Sequence, residues 1–154
     1  MVRVRENRAV STTIGYVLTL AIASILVAGL VSAGGSVVDS HRDATLREEL
    51  SVVGQEVSGG IAMADRLVRS SDGGTQSVEL TQQLPRSIVG KPYTIALKNP
   101  SDPYLVLASS GTDVSVRVYV ETSTPVAESS VSGGPVRIVY DTSLSPAKLV
   151  IEHV

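Results

Sequence analysis

The sequence predicts an α+β protein: an N-terminal transmembrane helix, extended by an amphipathic helix, then a small antiparallel β-domain built as a sandwich or a twisted sheet. Three observations predict it. Residues 14–38 form an uncharged, apolar run; from Leu46 to Val68 apolar residues recur every three or four positions; and after Asp72-Gly73-Gly74 the pattern changes to short alternating segments separated by Pro and Gly. These divide the chain into a leader (1–9), a span (10–38), an amphipathic helix (39–71) and a β-domain (75–154). Its 154 residues suit one domain and an anchor better than two separate cores.

The span comes first. No side chain from Ala9 to Val38 is charged at neutral pH, and twelve residues of Ile14–Val38 are Leu, Ile or Val. As a helix this run covers ~37 Å at about 1.5 Å per residue, against a hydrocarbon core of roughly 30 Å. Arg3, Arg5 and Arg8 outweigh Glu6 before it, while Asp39 and Asp43 follow it. The positive-inside rule then puts the N-terminus in the cytoplasm and the C-terminal domain outside the cell membrane. Within the span Ser24, Ala28, Ser32 and Ser36 recur every four residues, a ridge of small side chains that lets a second helix approach closely. Small residues are also common in membrane helices that have no such partner, so the spacing alone leaves both readings open.

The stretch Arg8-Ala9-Val10-Ser11-Thr12-Thr13-Ile14-Gly15-Tyr16-Val17-Leu18 resembles the start of archaeal, particularly haloarchaeal, type IV pilin-like proteins. In that family a short charged leader precedes an apolar helix, and a membrane-bound prepilin peptidase removes the leader while the helix stays in the mature subunit. The resemblance covers about thirty residues and implies processing between Ala9 and Val10. Thr12 stands where many members carry Pro, and Ile14 stands near the place of the Glu in bacterial pilins. The implied partners are membrane lipid, the prepilin peptidase and other pilin-like subunits, met through the N-terminal helix of a surface filament. Two other processing routes stay open on the residues themselves. Val31-Ser32-Ala33 has the small-residue spacing of a secretory cleavage site, and an uncleaved anchor needs no site at all.

Beyond the span, Ser40 and Asp43 have the spacing of a capping box, with Asp in place of the usual Glu, which predicts that a helix restarts or is reinforced there. Leu46, Leu50, Val53, Val57, Ile61, Ala64 and Val68 then form one apolar stripe. Asp43 with Arg47 and Asp65 with Arg69 are spaced as acid-to-base pairs on the polar side. Gly54, Gly59 and Gly60 each cost a helix about 1 kcal/mol relative to Ala, so a kink or break is expected among them.

Six strands are expected: 76–80, 93–98, 104–108, 114–121, 136–141 and 148–154. Val114, Val116, Val118 and Val120 alternate with Ser115, Arg117 and Tyr119, the period of a strand with one wet face. Pro100, Pro103, Pro125, Pro135 and Pro146 all fall between candidates, as ladder hydrogen bonding requires. Residues 121–135, rich in Ser, Thr and Gly, read as one long surface loop.

Composition narrows the function. Phe, Trp and Cys are absent and five Tyr are the only aromatics, so a disulfide framework and thiolate metal sites are excluded. The net charge is -2, with no basic stripe to meet a phosphate backbone, which argues against nucleic acid as a partner. His41 and His153 are the only histidines and belong to no HExxH; no Ser lies in a GxSxG elbow; and no Gly pair continues into a phosphate-binding loop. No enzymatic activity, metal or cofactor is expected. The reading is a structural subunit of a pilus-like surface assembly, with a membrane-anchored extracytoplasmic binding module as the alternative.

Overall fold

The computed structural model describes residues 3–71 and 77–154, with residues 3–12 and Ser36 described as backbone only. The expected turn at residues 72–74 and the expected strand start at Gln76 lie outside the described residues. The chain has two compact units, residues 1–41 and residues 42–154.

A single helix, α1 (Arg3–Ser70), contributes to both. Of the restart or reinforcement expected at Ser40, the restart does not occur: no Gly or Pro interrupts residues 39–43, and the helix continues through them. Nor does the helix end at its glycines. One of them is required by packing: a Cβ on Gly54 would lie 2.7 Å from Val118 Cγ2 and 2.8 Å from Leu107 Cδ1, whereas one on Gly60 would meet only the amide end of Gln82, 2.6 Å away, which can swing aside. Strands β4 and β5 approach the helix so closely at Gly54 that only hydrogen fits, and burial there offsets the propensity cost.

Eight strands follow among the described residues. They are β1 (Glu79–Gln82), β2 (Ser87–Ile88), β3 (Lys91–Lys98), β4 (Tyr104–Ser109), β5 (Ser115–Tyr119), β6 (Ser129–Ser132), β7 (Val136–Asp141) and β8 (Lys148–His153). One antiparallel sheet has the order β1-β7-β8, and the other runs β2-β3-β4-β5 with β6 also paired to β3. The register sets Ile138 opposite Leu80 and Ile151, and Leu105 opposite Leu97 and Val118. Main-chain bonds from Ala127 N to Leu149 O (2.9 Å) and from Leu149 N to Pro125 O (2.8 Å) tie β8 to the segment that leads into β6. The result is a half-barrel, the twisted-sheet form of the two expected arrangements.

Strands β2 and β6 are corrections to the sequence reading. Two residues are too few to carry a period, and β6 is written almost wholly in Ser, a composition typical of loops. Only Val131, buried between exposed Ser130 and Ser132, betrays the strand. The loop assigned to residues 121–135 is therefore shorter, and it buries Thr124 and Val126.

The half-barrel closes over the second part of α1. Leu46, Leu50, Val53, Val57, Ile61 and Ala64 are all buried in one cluster with Ile95, Leu97, Leu105, Leu107, Ile138 and Leu149, and Val68 packs at its margin. The helical stripe read from the sequence is thus the inner face of the domain. With no Phe or Trp available, Tyr93 is the aromatic centre; it is 1% exposed and donates its hydroxyl to Pro85 O at 2.7 Å.

Candidate functional site

Within the first unit, every described side chain from Thr13 to Ser40 is exposed. Tyr16, Ile25 and Leu30 keep 70%, 71% and 76% of their surface open, so this run contributes nothing to a core of the chain. One helix among the described residues is long and apolar enough to cross a membrane, and it lies near the N-terminus. A helix apolar on all sides is stable only where its surroundings are apolar too, in lipid or against other helices.

Ser24, Ala28 and Ser32 are exposed along this helix. Ser24 turns its hydroxyl back to donate to Leu20 O at 2.9 Å, and Thr19 does the same to Gly15 O at 2.8 Å. These bonds satisfy the hydroxyls inside their own helix, which is what hydrocarbon surroundings demand. Ala9, Val10 and Ser36 belong to the backbone of α1, but their side chains lie outside the described residues.

The second unit holds a polar cluster that the sequence reading missed. Asp65, expected on the wet side of the helix, is 6% exposed, and its Oδ1 accepts four hydrogen bonds. Thr124 supplies two, from its backbone N and its Oγ1, both at 2.7 Å; Ser123 N adds one at 3.1 Å and Thr122 Oγ1 another at 3.2 Å. Burial alone would raise this carboxyl's pKa, but the bonds from Thr124, Ser123 and Thr122 outweigh it and hold the group below its ordinary value of 3.8. Arg69 Nε lies 3.4 Å from Oδ2, so the Asp65–Arg69 pair forms, whereas Asp43 and Arg47 are not among the ion pairs of the described residues. Two further bonds fasten the helix to the sheets: Gln82 Nε2 donates to Glu56 O at 2.9 Å, and Ser58 Oγ donates to Tyr119 O at 3.1 Å.

The structure also pairs Ser132 with His153, a contact across the sheet join that no sequence spacing announces. Ser132 N donates to His153 Nε2 at 3.1 Å, and Ser132 Oγ lies 3.0 Å from the same nitrogen. Among the described residues no carboxylate orients the other ring nitrogen. The pair acts as a fastener between β6 and β8, alongside Ile151 N donating to Ser129 Oγ at 3.2 Å. Among the described residues, no three His, Asp or Glu side chains converge as metal ligands.

Taken together, these features define a helix-led α+β protein whose first unit is an open apolar helix and whose second is a half-barrel closed on the same helix. The chain belongs to the Family of unknown function (DUF7266), whose profile matches residues 5–152. Neither the curated proteins nor the solved structures contain a match.

Proposed function

We propose that this protein is a non-catalytic structural subunit of a type IV pilin-like surface assembly. Prepilin peptidase cuts between Ala9 and Val10, the helix is kept as a single-pass anchor, and the half-barrel stands outside the cell membrane. Copies associate in the membrane through the ridge of Ser24, Ala28, Ser32 and Ser36, where dispersion contacts between small residues draw helices together. What supports the reading is the division of labour along α1: from Leu46 to Ala64 one apolar stripe is buried in the core of the second unit, whereas every described side chain from Thr13 to Val38 is exposed. Arg3, Arg5 and Arg8 ahead of the span support an N-terminus on the cytoplasmic side. N-terminal sequencing of the chain purified from membranes tests the processing step. A start at Val10-Ser11-Thr12 supports it, and an intact Met1 or Arg3 excludes it.

A further inference from the structure

The sheet that contains β3 has two unlike edges, β2 and β5. Between β2 and α1 lies a groove of ≈ 520 Å³, where Val52 and Ile88 supply apolar lining and Glu48, Glu49 and Glu56 supply charge. The β5 edge carries a projecting aromatic group instead. Tyr119 keeps 64% of its surface open and meets Tyr104 edge to face, with ring centroids 6.5 Å apart. The Arg117 guanidinium lies over the Tyr104 ring, 4.3 Å from its centre, a cation–π contact that holds it in place. Two of the chain's five Tyr thus stand on the outer face of this sheet, in a protein with no Phe or Trp to fill its core. Tyr and Arg are also the residue types that contribute most to binding energy at protein interfaces. Arg117 and the three Glu have no ion-pair partner among the described residues.

We propose that the groove of one copy receives Tyr119 and Arg117 of a second copy standing beside it at the same height. Two contacts set the level of β5 on α1: Val118 packs against Gly54, and Ser58 Oγ donates to Tyr119 O at 3.1 Å. The groove follows α1 from Thr45 to Glu56. Its Glu56 end therefore lies within about one helical turn of the level of β5, and neighbours need no shift along the helix. Copies held in one membrane by the same segment meet that condition, because equal residues lie at equal depth. Groove against groove would oppose like charges, whereas groove against β5 sets Arg117 among the Glu carboxylates and the Tyr119 ring on Val52 and Ile88. The two halves of the contact sit on opposite edges of the sheet, three strand spacings or roughly 14 Å apart, so each copy holds a neighbour on either side without overlap. Such a contact is heterologous, and it relates neighbours by rotation about the membrane normal with no rise. It rests on the assembly reading above and names the surface that subunits use outside the membrane.

The chain has no cysteine, so introduced thiols can be oxidised in the full-length protein, in its own membranes, without background. Ser87 in the groove wall and Ser115, two residues before Arg117, are both exposed, so S87C/S115C puts one thiol in each half of the contact. Within one copy they lie on opposite edge strands, beyond the ~7 Å between Cα atoms that a disulfide tolerates. Oxidation should give a ladder of two, three and more chains, at least tenfold above S87C or S115C alone. Adding R117E should abolish the ladder, and adding E49R/E56R to that same chain should restore it, with unfolding of the half-barrel little changed in either. A ladder that survives R117E, one that E49R/E56R does not restore, or adducts equal to those of the single variants overturn the contact. Mature chains that start at Val10 and associate without the ladder also refute it, while leaving the assembly reading intact. Chains that keep Met1 and never associate refute both.

Discussion

Oδ1 of Asp65 lies 2.7 Å from both the backbone nitrogen and the hydroxyl of Thr124, so a single carboxylate oxygen ties the last turns of α1 to the segment after β5. Replacing Asp65 by Ala leaves buried donors without an acceptor and should cost about 3 kcal/mol. Urea unfolding of the full-length chain in detergent measures it. The effect depends on pH in a defined direction. Because the folded carboxyl sits below its ordinary value of 3.8, its contribution is complete above that pH and is lost as pH falls through the folded value. The gap between wild type and Asp65→Ala should therefore narrow as pH falls below 3.8, and a gap that acid widens would count against the clamp.

The helix glycines give a paired test. Gly54→Ala places a methyl 2.7 Å from Val118 Cγ2 and should destabilise the domain by about 1–2 kcal/mol, overpacking exceeding the gain in helix propensity. Gly59→Ala meets nothing within 4 Å and should stabilise it by about 0.5–1 kcal/mol. Thermal unfolding of the two variants should move in opposite directions; equal shifts would mean that the sheet does not approach the helix as described.

Tyr93 should make the domain sensitive to alkali. Burial, aided by the nearby Glu56 carboxylate, pushes its phenol up to about 12. The neutral form is favoured in the fold, so its contribution is complete below the ordinary value of 10.0 and declines between there and about 12. Tyr93→Phe gives up the hydroxyl bond to Pro85, costing about 1 kcal/mol near neutrality, and should flatten that alkaline decline. An unchanged slope in the variant would assign the decline to other groups.

Much of this architecture was legible in the chain. The stripe from Leu46 to Val68 named the buried face of the helix because a period of three to four survives any detail of what packs on it. The alternation around β5 was equally durable: Ser115, Arg117 and Tyr119 are exposed, while Val114 and Val120 are buried. What escaped depends on partners distant in sequence. Asp65 has the spacing of an ordinary surface acid, and only the fold brings Thr122, Ser123 and Thr124 to it. β6 escaped because Ser says nothing about pairing when the neighbouring strand supplies the hydrogen bonds. Gly54 looked like a breaker because propensity is local, whereas the close approach of Val118 is not.

The ridge can be tested separately from the fold. Ser24→Leu with Ala28→Leu keeps the span apolar but fills the face on which a second helix would sit. Self-association in membranes, followed by energy transfer between labelled copies, should fall at least tenfold while unfolding of the half-barrel is unchanged. Undiminished association would remove the ridge from the assembly mechanism.

The central claim is a chain anchored once near its beginning, with the half-barrel delivered outside the cell. Ser110 is exposed in the turn after β4, and in a cysteine-free chain Ser110→Cys gives a single reporter thiol. Intact cells treated with a membrane-impermeant maleimide should label it, with the labelled chain sedimenting in the membrane fraction. Labelling only after lysis, or recovery of the full-length chain from the soluble cytosol, would contradict the claim.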